Sequence, residues 1–345
     1  MHKEMFLRFQ EQILNSEVTG KGSKEALAAP RGNAKSTLTS LIVPLWCIAG
    51  SRKKFIVIIS DTSEQAEEFL EQIKAELEAN ERLIEDFPEA CGPGRTWKAA
   101  KLVTGNGVAV RCWGKRKRLR GARHGNRRPD LVICDDLEDD ENIDSPEQRE
   151  KDQKWFFKAV MKIGGRYTVY IVVGTVLHYD SLLSRLLVRP GWRGKKWKAV
   201  IKWSTSKFWQ KWEELYTSRT LDAEKKAEIF FNKNKKEMLR GTKVLWPEGE
   251  SYYYLMAMRI SDGPAYFDSE KQNEPVNPDD CLFQEEWFRY IQVPVLVGKD
   301  IQFYCAVDPS MGSSSKKADP SAILIGAVNS DGMIDIIQAD IQKRH

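Results

Sequence analysis

Two kinds of apolar pattern divide the chain. In the first 175 residues, short continuous apolar runs alternate with longer stretches in which apolar residues recur every three or four positions. Continuous runs are typical of strands buried on both faces of a parallel sheet, and the longer stretches are typical of helices that cover it. The pattern therefore predicts βαβ units. The predicted strands are 26–29, 55–60, 108–113, 131–134 and 167–175, and the predicted helices are 36–48, 62–79 and 146–161.

The pattern changes after residue 175. Residues 176–290 contain scattered tryptophans, and the clearest helical segment there is 221–240, which Gly241 ends. From residue 301 onward, apolar runs are separated by turn residues, and Asn-Ser-Asp-Gly at 329–332 predicts a hairpin. The second region therefore predicts antiparallel strands that begin another domain. These predicted strands are 303–307, 322–328 and 333–341.

Composition narrows the class of protein. A chain of 345 residues is long enough for two domains, and 41% hydrophobic residues are enough to bury a core, so wholesale disorder is excluded. No run of about 18 apolar residues occurs, so no membrane span is predicted. Six cysteines without a C-x-x-C pair and only four histidines argue against a zinc site and for reduced thiols in a cytoplasm. The net charge of +5 permits a polyanionic partner without requiring one.

A candidate phosphate site lies between the first predicted strand and helix. Residues 29–36 read Ala-Pro-Arg-Gly-Asn-Ala-Lys-Ser, which matches G-x-x-x-x-G-K-[ST] at Lys35 and Ser36 but has alanine at both outer glycine positions. Backbone N–H groups at a helix N-terminus bind phosphate oxygens, a lysine reaches the terminal phosphates, and the hydroxyl binds Mg²⁺. The octamer alone is equally compatible with an ordinary surface loop. The residues predicted to contact ATP here are Arg31, Gly32, Asn33, Ala34, Lys35, Ser36 and Thr37.

An acidic strand end supplies the second half of the predicted site. Residues 130–136 read Asp-Leu-Val-Ile-Cys-Asp-Asp, an apolar strand that ends in acids, as a Walker B strand does. Asp135 is predicted to hold Mg²⁺ through water or through Ser36. The attacking water is predicted to be polarised by Asp136 or by Glu138, and the sequence leaves both open. A solvated acidic loop is the alternative interpretation of this segment.

Three further side chains are predicted to take part in turnover. Thr175 ends the strand that follows the acidic one, where a polar residue can sense the γ-phosphate and couple hydrolysis to movement, or can simply end a strand. Arg31 is predicted to add charge at the γ-phosphate. Arg120 is predicted to reach a neighbouring subunit's ATP as a trans arginine finger.

Basic residues are concentrated just before the acidic strand. Eight lysines and arginines fall among the fourteen residues 115–128, a density that predicts salt-dependent binding to phosphates. A solvated loop is the ordinary alternative. A second stretch, 192–203, mixes lysines with three tryptophans and is more typical of a half-buried amphipathic face than of a stacking platform.

With these motifs in place, the chain resembles the large terminase subunit of tailed bacteriophages. The resemblance lies in the order of short segments along most of the chain. These segments are 30–37, 119–123 with 128–136, 173–178, 245–248, 272–275, and 307–310 with 319–322.

The resemblance implies an α/β fold in which a P-loop (RecA/ASCE-like) parallel-sheet ATPase domain precedes an RNase H-like nuclease domain. The implied boundaries are 1–250 for the ATPase domain with its lid, 251–295 for the junction, and 296–345 for the start of the nuclease. Asp308 matches the first nuclease metal ligand, Asp319 is a weaker candidate, and the ions are Mg²⁺ or Mn²⁺. Gln10 resembles the family's adenine-contacting glutamine. Further acidic ligands lie beyond His345 in the family, so we expect a truncated nuclease that does not cut DNA.

The function implied by the resemblance is ATP-driven translocation of double-stranded viral DNA into a procapsid. Its partners are DNA, the portal protein, the small terminase subunit and further copies of the chain in a ring, with no membrane. The expected location is the cytoplasm of the infected bacterial host, transiently on the procapsid and not in the mature virion. Two alternatives remain open: a P-loop helicase or remodelling ATPase, and a nucleotide-gated DNA-binding protein without turnover.

Overall fold

The computed structural model describes residues 1–117, 119, 121–143, 145–218, 220–275, 301–309, 321–329 and 334–342. The chain forms two compact units, Met1–Asp280 and Cys281–His345, and each is described by itself. Within the described residues, no helix combines the length and the apolar character needed to cross a membrane.

The first unit is built on an eight-stranded sheet. Its strand order is β3-β4-β5-β2-β6-β7-β1-β8; the pairs β3–β4 and β4–β5 are antiparallel and the others are parallel. This confirms the predicted α/β class with a mainly parallel sheet. The strands are β1 (Lys24–Ala28), β2 (Phe55–Ser60), β3 (Thr96–Lys98), β4 (Lys101–Val103), β5 (Ala109–Gly114), β6 (Leu131–Asp135), β7 (Val169–Gly174) and β8 (Arg193–Lys196).

Helices cover both faces of this sheet. Alternate residues of β2 point to opposite faces, so that Ile56 and Ile58 pack in one apolar cluster while Phe55, Val57 and Ile59 pack in the other. Because both faces are covered, the strand is apolar from Phe55 to Ile59 and buried along its whole length. The covering helices are α1 (His2–Thr19), a π-helical segment (Thr37–Ile42) continued by α2 (Val43–Ala49), α3 (Ser63–Ala79), α5 (Pro146–Lys158) with a 3₁₀ turn (Val160–Lys162), and α6 (Leu182–Leu187). A short helix, α4 (Glu81–Asp86), follows α3 and buries none of its residues.

Strand β7 lies between β1 and β6 in the sheet. The segments that follow β1 and β6 therefore leave the sheet close together, at the carboxyl ends of the strands. Ala28 of β1 pairs with Gly174, and Asp135 of β6 pairs with Val173. The loop that follows β1 and the acids that end β6 therefore leave the same carboxyl edge, where ligands of open α/β sheets bind.

The part of the first unit that follows the eight-stranded sheet packs around a third apolar cluster. The end of the ATPase domain at residue 250, which the resemblance implies, stays a prediction; the two helices that follow it bury Leu255 and Phe267 in the same cluster as Trp212 and Phe231. The sequence indicated one helix in this region because the other segments are short and pack around aromatic side chains. The elements are β9 (Val200–Lys202), α7 (Phe208–Tyr216), α8 (Ala223–Met238), β10 (Lys243–Val244), α9 (Tyr252–Ser261) and α10 (Pro264–Glu270).

The described part of the second unit is an antiparallel three-stranded sheet, as the sequence predicted. Its order is β11-β12-β13, and neighbouring strands pair antiparallel throughout. The strands are β11 (Ile301–Asp308), β12 (Ser321–Asn329) and β13 (Ile334–Gln342).

Candidate nucleotide-binding site

The loop after β1 adopts the backbone conformations that its motif requires. The Ala29 N–H donates to the Gly174 carbonyl at 3.0 Å, which ties the start of the loop to β7. Gly32 has φ of 83° and Ala34 has φ of 53°, both in the left-handed region. For a residue with a side chain, this conformation is less stable than the right-handed one by about 1–2 kcal/mol. Ala34 therefore occupies a glycine conformation at the position where the motif has glycine.

The helix that begins at this loop starts with a π-helical segment, Thr37–Ile42. The Val43 N–H donates to the carbonyl of Leu38, five residues earlier, and Pro44 follows without an N–H to donate. π-Helical turns are frequent at functional sites. Ser40 lies within this segment, and its hydroxyl reaches β6.

Two motifs far apart in sequence meet at the sheet edge. Lys35 Nζ lies 3.0 Å from Asp136 Oδ2. The hydroxyls of Ser36 and Ser40 donate to the two carboxylate oxygens of Asp135, at 3.1 and 2.5 Å respectively. Burial of Asp135 and the neighbouring charge of Asp136 raise the pKa of Asp135, while the two hydroxyls and Lys35 oppose the shift. The structure thus joins the predicted lysine, hydroxyl and carboxylates in one cluster.

The donor set of this cluster fits Mg²⁺. Asp135 is fully buried and offers carboxylate oxygens beside the Ser36 hydroxyl, and hard cations prefer such oxygen ligands. Among the described residues, no group of three or more His, Cys, Asp or Glu side chains forms a metal cage. Mg²⁺ usually binds through one or two carboxylates together with water and substrate phosphates, so a complete protein cage is unnecessary.

The two candidate catalytic acids lie in different environments. The Asp136 side chain pairs with Lys35 and is 32% exposed, so water can reach it. Glu138 instead accepts from the backbone N–H groups of Leu182 and Leu183, at 2.6 and 3.1 Å, and thereby caps the N-terminus of α6. Burial raises the pKa of Glu138. The structure therefore brings Asp136 to the loop lysine and fixes both oxygens of Glu138 on a helix end.

Arg31 is held by two carboxylates. Its guanidinium contacts Asp140 at 3.0 Å and Glu270 at 2.9 Å, and its backbone N–H donates to the Glu270 carbonyl. The side chain is 53% exposed at the loop surface. Its predicted contact with the γ-phosphate stays a prediction, and it would require these ion pairs to rearrange.

A buried polar cluster holds the loop from the other side, and sequence reasoning missed it. Lys271 Nζ contacts Glu250 Oε1 at 2.5 Å and donates to the Arg31 carbonyl at 2.7 Å. The other oxygen of Glu250 accepts from Asn33 Nδ2 at 3.0 Å. We call Asn33, Glu250 and Lys271 the loop tether. The only sequence signal was that Glu250 and Lys271 each lie next to a segment of the resemblance, 245–248 and 272–275.

Thr175 and Asn273 connect the end of β7 to the same region. Thr175 is buried, and its hydroxyl donates to the Ala29 carbonyl at 3.4 Å. Asn273 accepts from the Val176 N–H at 2.8 Å and donates to the Trp197 carbonyl at 2.9 Å. Thr175 is thus in contact with the first residue of the loop, and its coupling role stays a prediction.

The remaining predicted site residues lie apart from this cluster or outside the described residues. Gln10 is half-buried on α1, about 12 Å along the helix from His2, whose ring contacts the Asn33 carbonyl at 2.7 Å. Thr37 is exposed in the first turn after the loop. Asp308 ends β11 with an exposed side chain, so its metal-binding role stays a prediction. Arg120 and Asp319 lie outside the described residues.

Three basic residues of the segment before β6 have partners within the protein. Lys115 contacts three carboxylates at 2.6 to 3.5 Å, and the Arg116 guanidinium contacts Asp152 at 2.6 Å. Arg128 donates to two backbone carbonyls. Lys117, Arg123 and Arg127 are exposed. The charge available to an external polyanion is therefore smaller than the sequence indicates. The carboxylates around Lys115 are those of Asp61, Asp139 and Asp152.

Comparison with known proteins gives similarities to solved structures. No protein family and no curated protein match the sequence. Among solved structures, the chain is similar to the ATPase domain of the large terminase of Thermus phage P74-26, with a TM-score of 0.41 and 15% sequence identity. The similarity covers 73% of this chain and 88% of that one. The chemistry assigned to the site therefore rests on the site's own geometry.

Proposed function

We propose that the first unit binds and hydrolyses ATP. The observation that carries this proposal is the meeting of Lys35 and Ser36, in a loop with glycine-like backbone angles, with Asp135 and Asp136 at the end of β6. A lysine, a hydroxyl and two carboxylates at a helix N-terminus form a set that positions phosphates and a divalent cation.

Each side chain has a distinct task in this proposal. The backbone N–H groups of the loop and Lys35 bind the phosphates, and Ser36 and Asp135 hold Mg²⁺. The ion, when bound, neutralises charge that develops on the phosphate oxygens. Asp136 accepts a hydrogen bond from the attacking water and orients it towards the γ-phosphate. This task is given to Asp136 because the oxygens of Glu138 are engaged by the end of α6.

We further propose that hydrolysis drives movement of double-stranded DNA in a packaging motor. The support is the order of terminase-like segments along the sequence, together with the loop tether. The tether gives the loop a direct connection to α10, because Lys271 follows that helix immediately. A ring of copies on a portal, a small terminase partner and transient residence on a procapsid in the host cytoplasm belong to the same proposal.

The test is ATP hydrolysis with Mg²⁺, measured by phosphate release, with and without linear duplex DNA. Lys35→Ala and Asp135→Ala are expected to abolish turnover, whereas Lys98→Ala, an exposed lysine on β3, is the matched control. Asp136→Asn is expected to retain ATP binding and to lose turnover by at least about 100-fold, the scale of a general base. Glu138→Gln is expected to stay within about 3-fold of the wild type.

Three outcomes would separate the alternatives. Tight ATP binding that needs Lys35 without any turnover would favour a nucleotide-gated DNA-binding protein. Stimulation by single-stranded but not duplex DNA would favour a helicase. Absence of nucleotide binding would overturn the proposal.

A further inference from the structure

The positive charge of the chain is concentrated in one region. Residues 201–244 contain eleven lysines and arginines against six aspartates and glutamates, a net charge of +5. That equals the net charge of the whole chain, so the other residues together are neutral. Helix α8 contributes +2 to this excess, and β9 and β10 contribute +1 each, whereas α7 has one lysine against two glutamates.

Helix α8 presents much of this charge on one face. Its opposite face buries Ala227, Phe231 and Met238 in the third apolar cluster. At about 100° per residue, Lys225, Lys233 and Lys236 fall within an arc of about 80° on the outward side. They are exposed and span about 16 Å along the helix axis. We call these three lysines the α8 lysine face.

These lysines differ in their pairing from Lys115 and Arg116 of the segment before β6, although that segment also has exposed basic residues. Among the described residues, the three form no ion pair, although α8 does pair Lys226 with Asp222. By contrast, Lys115 and Arg116 in the segment before β6 are paired with carboxylates. Lysines and an arginine of the second basic stretch are paired as well. Those contacts are Arg193–Glu11, Lys195–Glu4, Lys196–Glu274 and Lys198–Glu274.

A second observation near the end of α8 also indicates an anionic partner. Lys243 of β10 lies directly opposite Lys202 of β9 in their antiparallel pair, and both side chains are exposed. Like charges directly opposite each other destabilise such a pair by about 0.2–1 kcal/mol. An anion bound across them would remove that repulsion. The Ser204 hydroxyl donates to the Met238 carbonyl, which places β9 next to the C-terminal end of α8.

We propose that the α8 lysine face, continued by Lys202 and Lys243, binds the phosphate backbone of duplex DNA without reading its sequence. A 16 Å row spans about five base-pair steps of 3.4 Å along the duplex axis. Lysine is depleted in protein–protein interfaces, so a polyanion fits this face better than a protein surface does. The choice of DNA over another polyanion rests on the proposed packaging function.

The test is fluorescence anisotropy of a labelled 30-base-pair duplex, titrated with the full chain without nucleotide at several salt concentrations. The triple variant Lys225→Gln/Lys233→Gln/Lys236→Gln is expected to bind at least 10-fold more weakly. Its slope of log affinity against log salt is expected to fall by about 2–3, since each phosphate contact contributes about 0.9. The matched variant Lys117→Gln/Arg123→Gln/Arg127→Gln removes the same charge from the segment before β6 and is expected to weaken binding by less than 3-fold.

The outcomes distinguish this inference from the proposed function. Thermal denaturation and DNA-independent ATP hydrolysis of the α8 variant are expected to match the wild type, because the three side chains are exposed and distant in sequence from the loop. If the wild type bound duplex through this face but did not hydrolyse ATP, only the proposed function would fail.

The inference would be overturned by wild-type binding that the α8 triple leaves intact, or by the absence of duplex binding at low salt. It would also be overturned if the α8 triple abolished self-association in sedimentation velocity instead of DNA binding, since the face would then contact another copy of the chain.

Discussion

The loop tether can be tested by removing its cation. Lys271→Met retains the aliphatic stem and leaves Glu250 buried without its partner. The two side chains are only 8% and 10% exposed, so the pair is shielded from water. Loss of one partner of a buried pair costs about 3–5 kcal/mol. Folded domains are stable by about 5–15 kcal/mol, so this single change would remove a large share of the free energy of unfolding.

The assay is urea denaturation followed by tryptophan fluorescence. Ten of the eleven tryptophans lie in residues 1–280, so the signal reports mainly on the first unit. The control is Lys211→Met, which breaks a pair with Glu214 whose side chains are 59% and 66% exposed. An exposed pair contributes about 0–1 kcal/mol, so the control is expected to stay close to the wild type.

A second substitution separates the charge effect from lost packing. In the double variant Lys271→Met/Glu250→Gln, the amide oxygen can still accept from Asn33 and no buried charge is left alone. We expect the double variant to be more stable than Lys271→Met, with a coupling energy of at least about 1 kcal/mol. The reasoning would be refuted if Lys271→Met unfolded within about 1 kcal/mol of the wild type, or if the double-mutant cycle gave no coupling.

Three further predictions concern single sites. Ala34→Gly relieves the strain of a left-handed φ but adds conformational freedom to the unfolded chain. It should therefore raise the free energy of unfolding by about 0–1 kcal/mol, measured by thermal denaturation. A loss above about 1 kcal/mol would contradict the loop geometry. Glu138→Gln removes a charged helix cap and should therefore lower the free energy of unfolding by about 1–2 kcal/mol. An unchanged urea midpoint would contradict the capping role of Glu138. In native protein at pH 8, iodoacetamide should modify the exposed Cys305 and spare Cys47 and Cys134, because burial raises the pKa of both thiols. Mass spectrometry that found Cys134 labelled before unfolding would contradict its burial.

Part of this protein could be derived from local sequence signals. The run at 55–59 is apolar at every position because both faces of β2 are covered, and the bounds of the strand, Phe55–Ser60, match the predicted strand. Thr62 and Ser145 begin helices by accepting from the N–H three residues later, at the starts of the predicted helices 62–79 and 146–161. Such signals act over a few residues, so the sequence contains them complete.

Local sequence signals identified only part of the candidate site. Lys35 and Asp135 belong to short motifs whose residue types indicate phosphate and cation chemistry, but the motifs could not decide between Asp136 and Glu138. That choice depends on α6, whose N-terminus captures Glu138 from more than 40 residues away. This contact cannot be derived from the spacing of the acids in the sequence.

For the basic residues too, the sequence gives the residue types and the fold decides their contacts. Their density at 115–128 is a property of the sequence, whereas their availability to a partner depends on which carboxylates the fold places beside them. Asp152 reaches Lys115 and Arg116 from a helix that follows β6, so two of the eight basic residues of the segment are paired with a carboxylate. The α8 lysines stay unpaired because their helix turns its apolar face to the third cluster and these lysines to water.

The sequence by itself thus determined the parallel α/β sheet of the first unit, the antiparallel strands of the second, and the residue types of a phosphate site. Periodicity, caps and short motifs encode these features locally. Only the tertiary structure decided which acid faces Lys35, that Glu250 and Lys271 hold the loop, and which lysines remain free. Those outcomes depend on charges and hydrogen-bond partners separated by tens to hundreds of residues, and only the folded sheet and its covering helices bring them into contact.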